Sequence, residues 1–106
     1  MANENTCITD PLGHRVFLIN GLFEPEAPGP ADEEEADLGT AIRRPALIIE
    51  TTRNGSELHF FRTLAWNSTI LVSARKEGEA WLVFRFLRNP SFEHLAGIMK
   101  DGKQLL

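Results

Sequence analysis

Residues 68–88 constrain the fold more than any other part of the chain. They read Ser-Thr-Ile-Leu-Val-Ser-Ala-Arg-Lys-Glu-Gly-Glu-Ala-Trp-Leu-Val-Phe-Arg-Phe-Leu-Arg. Two stretches, 69–75 and 79–87, are rich in the β-branched and aromatic residues that suit a pleated, half-buried surface. The spacing predicts a hairpin with a loop of Lys76, Glu77 and Gly78, in which Gly78 takes the left-handed conformation that a side chain makes costly. This register sets Ser73 opposite Trp81, Leu71 opposite Val83 and Thr69 opposite Arg85. It puts Ile70, Val72, Leu82 and Phe84 on a wholly apolar face, and Leu71, Trp81, Val83 and Arg85 on a mixed one. A slip of one residue exchanges the faces.

Asn54-Gly55 between two alternating runs predicts a second hairpin with a two-residue turn. It pairs Thr51 with Leu58, Ile49 with Phe60 and Glu50 with His59. The two hairpins form a four-stranded antiparallel meander, to which residues 14–23 can add a fifth strand at an edge. Residues 1–13 are polar, and Asp10-Pro11-Leu12-Gly13 reads as a turn. After Asn89-Pro90-Ser91, which supplies capping chemistry, Phe92, Leu95, Ala96 and Met99 recur at helical spacing. Gly102 is a natural stop. The expected fold is therefore α+β: a four- to five-stranded antiparallel meander with one C-terminal helix packed on one face. Carrying the pairing through the sheet leaves large apolar residues on both sides. The second face then needs the N-terminal segment, a second subunit or a partner to cover it.

Residues 24–40 are a different material. They hold seven acids and no base, with prolines at the start and only alanines and Leu38 as apolar side chains. Such a stretch buries too little to offset its ordering entropy and is expected to be a flexible acidic excursion within a single domain spanning 1–106. Residues 33–38 suit a helical turn formed on a partner. The chain has 15 acids and 11 bases. Setting the excursion aside leaves eight acids against those 11 bases, a mildly basic body. The segment then reads as a solvated loop, as a shield for that body, or as a dock for a basic partner.

No motif carries obvious chemistry. Glu50 beside His59 suits acid–base catalysis, but no nucleophile or oxyanion donor accompanies them, and an ordinary cross-strand charge pair is the preferred reading. His14, His59, His94 and Cys7 lack metal-site spacing, so no metal is expected. No glycine-rich phosphate loop is present, and no cofactor is expected. Arg62, Arg75, Arg85 and Arg88, interleaved with Phe60, Trp81 and Phe86, have the composition of a single-strand nucleic-acid surface, but the excess of charge is far below a typical basic footprint. The single cysteine precludes an internal disulfide, and a cytoplasmic setting without membrane association is expected. These features favour a small non-catalytic binding or regulatory accessory protein. Its partner would be another protein or a second copy of the chain, met through Leu71, Trp81, Val83 and Arg85. The alternative is a nucleic-acid-associated protein whose basic surface is modulated by the acidic segment. An enzyme using Glu50 and His59 comes third.

Overall fold

The computed structural model describes residues 5–19, 35–52, 55–64 and 68–106. The chain is α+β, with a seven-stranded mixed sheet. The elements are β1 (Asn5–Thr9), β2 (Arg15–Ile19), α1 (Glu35–Arg43), β3 (Leu47–Thr51), β4 (Glu57–Leu64), β5 (Ser68–Glu77), β6 (Ala80–Arg88), α2 (Phe92–Asp101) and β7 (Lys103–Gln104). Their order across the sheet is β1-β2-β6-β5-β4-β3-β7. The antiparallel meander β3-β4-β5-β6 lies at its centre, as the two hairpin signals predict. The expectation of a purely antiparallel sheet of four or five strands with one helix is too simple. β2 docks parallel to β6, with Val16 opposite Trp81, and the polar N-terminal residues form β1. The sequence hides β1 because only one large apolar side chain, Ile8, marks its inward side. Ile8 sits opposite Val16, and both are buried.

The predicted turn at residues 10–13 is present. The buried Asp10 carboxylate accepts from the backbone N–H of Leu12 and of His14, at 3.0 and 2.8 Å. Gly13 takes the positive φ that ends the turn.

Both hairpin registers differ from the expected ones. In the first, Glu50 lies opposite Leu58 and Ile49 opposite His59, a slip of one residue. The turn residues 53–54 lie outside the described residues. In the second, β5 runs to Glu77, which pairs with Ala80, so the turn is Gly78-Glu79. Gly78, at φ +66°, supplies the positive φ that primed hairpin turns use at their first central position. Further along, Ala74 faces Val83 but Ser73 faces Arg85, which leaves Phe84 as an extra residue in β6. This β-bulge, which alternation alone does not signal, brings Trp81 and Val83 onto the same core as Val72, Ala74 and Phe86.

The second face is covered from within the chain. The last six residues assigned to the acidic excursion, 35–40, begin α1, and Leu38, Ala41 and Ile42 are fully buried against β1, β4 and β5. Their offsets of three and four are a helical face that an excursion ending at residue 40 cuts in half. Residues 20–34, which carry most of the predicted excursion, lie outside the described residues. After α1 the chain enters β3 at the far side of the sheet and meanders back until β6 meets β2. The α1 core comprises Ile8, Val16, Ile48, Leu58, Phe60, Ile70, Val72, Trp81, Val83 and Phe86 with the three helix residues. Each Val, Leu, Ile or Phe among them contributes about 1.5–3 kcal/mol on burial, before the ordering entropy is counted.

α2 covers the opposite face. Asn89, at φ +53°, ends β6 with its Oδ1 accepting from the Thr69 N–H at 2.9 Å. Ser91 is the N-cap, and its Oγ accepts from the His94 N–H at 3.1 Å. Leu95, alone of the expected stripe of Phe92, Leu95, Ala96 and Met99, packs inward together with Ile98, against Leu47, Ile49, Phe61, Leu71 and Leu87. At Gly102 a Cβ would stand 2.1 Å from Ile49 Cγ2 and 2.6 Å from the Ile98 carbonyl oxygen. Only glycine lets the chain leave the helix this close to the sheet, and β7 then pairs with β3.

Candidate functional site

One row of residues runs across four strands beneath α2: Ile49, His59, Ser73 and Arg85. It interrupts an apolar face with polar groups. His59 is buried, and both ring nitrogens have partners. Nδ1 lies 2.8 Å from Ser73 Oγ, and Nε2 lies 3.0 Å from Thr51 Oγ1. Each hydroxyl can donate or accept, so either neutral tautomer is satisfied. The Glu57 carboxylate stands 3.5 Å from Nε2. Burial, followed by the charges of Arg85 and His94, lowers the His59 pKa from 6.5 to about 4. At neutral pH the imidazole is therefore uncharged.

Above this row, β3, β4, β6 and α2 enclose an open cleft of about 290 Å³, lined by Thr51, Glu57, His59, Arg85, His94 and Asp101 among others. An Arg85 guanidinium N–H points at His94 Nε2 across 3.4 Å, and the same guanidinium lies over the Phe84 ring at 5.1 Å. His94, in the first turn of α2, faces this cleft. The lining mixes cations with carboxylates; within it His59 is held by Thr51 and Glu57, and Arg85 meets His94.

A second polar cluster sits at the other side of the molecule. The Asp10 carboxylate accepts from His14 Nδ1 at 2.7 Å, and the His14 ring meets Trp81 edge-on with centroids 5.5 Å apart. A wide cleft of about 470 Å³ opens beside it, lined by Arg15, Glu50, Lys76 and Glu79. Glu50 thus faces away from His59. The register slip separates the pair proposed for acid–base work, and the carboxylate near His59 is Glu57. Sequence reasoning missed Asp10–His14, although an aspartate four residues before a histidine around Pro-Leu-Gly is a legible turn signal.

The four interface candidates do not form one surface. Trp81, at 5% exposure, and Val83 belong to the α1 core, and Leu71 belongs to the α2 core. Of the four, Arg85 lines the cleft above His59 and the Trp81 edge borders the cleft beside His14, so the two open to different sites. The basic and aromatic set is also divided. Phe60, Trp81 and Phe86 are buried, so they present no face on which a base could stack. Arg62 donates to the Arg44 carbonyl, Arg88 pairs with Asp37 at 3.2 Å, and Arg75 lies over Phe84 at 4.4 Å. Among the described residues no group of three or more His, Cys, Asp or Glu side chains is placed to hold a metal ion. No helix among them is long and apolar enough to cross a membrane.

Three of the four residues that α2 was expected to bury, Phe92, Ala96 and Met99, are presented to solvent. Phe92 is 83% exposed and Met99 52%. Ala96, also exposed, lies between them on the outer side of the helix, opposite Ile98. Comparison with protein-family models, with curated proteins and with solved structures finds no match.

Proposed function

We propose that this chain is a non-catalytic protein-binding module whose contact surface is the outer face of α2. One observation carries the reading. Phe92 stands almost wholly in water on a helix whose inner face is already packed. A lone exposed apolar side chain needs no explanation, but Phe92, Ala96 and Met99 line one side of a single helix, the arrangement by which helices dock. Aromatic and methionine side chains are enriched at interface centres. The absence of catalysis is supported by His59, whose nitrogens are both committed to Ser73 and Thr51. The exposed thiol of Cys7 on β1 fits a reducing compartment.

The test replaces Phe92 with a photoreactive benzophenone side chain in the full chain within its native cell. Irradiation should yield a discrete protein adduct that resists nuclease. A chain that gives no protein adduct, or only nucleic-acid adducts, sinks the reading.

A further inference from the structure

The outer face of α2 is complementary to itself. With successive residues 100° apart around a helix, Phe92 and Met99 fall to one side of Ala96, and Glu93 and Lys100 fall to the other. All five are exposed, and Glu93 stands at the rim between this face and the cleft above His59. When two copies of this helix meet antiparallel across a two-fold axis, each residue faces the one at the mirrored height on the same side. Taking the axis at Ala96, Phe92 then lies against Met99 of the second copy, and Glu93 lies against Lys100 of the second copy. Both pairs recur by symmetry. The small Ala96 sits at the crossing with its own copy, where close approach is needed. Beside it a Cβ on Gly97 would meet no atom within 4 Å, so the flank is open as well.

We infer that the occupant of this face is a second copy of the chain, paired antiparallel through α2. The inference rests on the protein-binding reading above and names its partner. A single ten-residue helix presents apolar and oppositely charged residues in complementary positions. Spacings of seven residues link an aromatic to a thioether and a carboxylate to an ammonium, and an isologous contact uses each of them twice. Had the charges been alike, two-fold pairing would have set like against like. One helix face buries little, below about 1,200 Å² in total, so the dimer is a reversible, concentration-dependent one.

The measurement is the solution mass of the full chain from micromolar to millimolar concentration, by sedimentation equilibrium. The mass should rise from 11.9 kDa towards roughly twice that value. Glu93→Lys sets ammonium against ammonium, and Lys100→Glu sets carboxylate against carboxylate. Each alone should weaken the dimer about tenfold or more. An equal mixture of the two should recover dimers, now heterodimers, because every facing pair is again opposite in charge. Ala96→Glu places two carboxylates at the axis without touching either helix end, and it decides the matter should the end variants disturb the helix. A wild-type chain that stays monomeric at millimolar concentration overturns the inference, as does a dimer indifferent to all three variants. The benzophenone at position 92 separates the two levels. An adduct with a different protein keeps the binding module and removes the dimer, whereas no adduct removes both.

Discussion

At the scale of single residues, His59 is the group whose environment has the clearest measurable consequence. Its folded pKa of about 4 lies below the unfolded value of 6.5, so the unfolded chain binds the extra proton between those values. Stability is therefore fully present above pH 6.5 and falls as the pH drops towards 4. The shift corresponds to about 3 kcal/mol, an order-of-magnitude figure. Urea unfolding at a series of pH values should show that loss in the wild type, and His59→Gln should remove most of the slope between pH 4 and 6.5. An unchanged slope would mean that other groups carry the acid sensitivity. The residue was legible as a candidate, but its partner was not. Glu50 and Glu57 are both plausible neighbours for an imidazole, and a one-residue slip in the β3–β4 register decides between them.

At the scale of elements, both helices turn on which residues of a mixed pattern face inward. α1 has little intrinsic tendency to form alone, since nine residues make a marginal helix in water. Its stability comes from Leu38, Ala41 and Ile42 on the sheet. Leu38→Ala should therefore cost about 2–5 kcal/mol in urea unfolding. A residue in a flexible excursion would cost almost nothing, so a change within half a kilocalorie would return this stretch to the solvated reading. α2 shows the complementary error. The expected inner stripe of Phe92, Leu95, Ala96 and Met99 is divided: Leu95 packs with Ile98 on the sheet, and the other three face outward. The strand-to-helix corner at Asn89 and the close exit at Gly102 set the rotation of the helix, and Phe92 and Met99 face water.

At the scale of the whole molecule, Trp81 joins the N-terminal strands to the meander. It lies opposite Val16 in the one parallel pairing among the described strands, and the His14 ring meets its edge. Trp81→Ala should destabilise the whole fold by about 3–5 kcal/mol, read as a lower urea midpoint. Loss of association with an intact fold would restore Trp81 as a surface anchor. Burial of Trp81 also explains why the mixed face inferred for the second hairpin has no physical counterpart. The bulge at Phe84 and the Gly78-Glu79 turn redistribute that face between two cores.

What the sequence determined by itself was local: the four central strands and their antiparallel order, the turn at Asp10-Gly13, the capping stretch before α2 and the stop at Gly102. Each rests on neighbouring residues whose backbone preferences or hydrophobic alternation act over a few positions. The tertiary structure alone decided the registers, the parallel docking of β2, the covering of the second face by α1 and the outward turn of Phe92. Those outcomes depend on residues far apart in the chain competing for the same buried area. A single inserted residue in β6 is enough to change which side chains share a face.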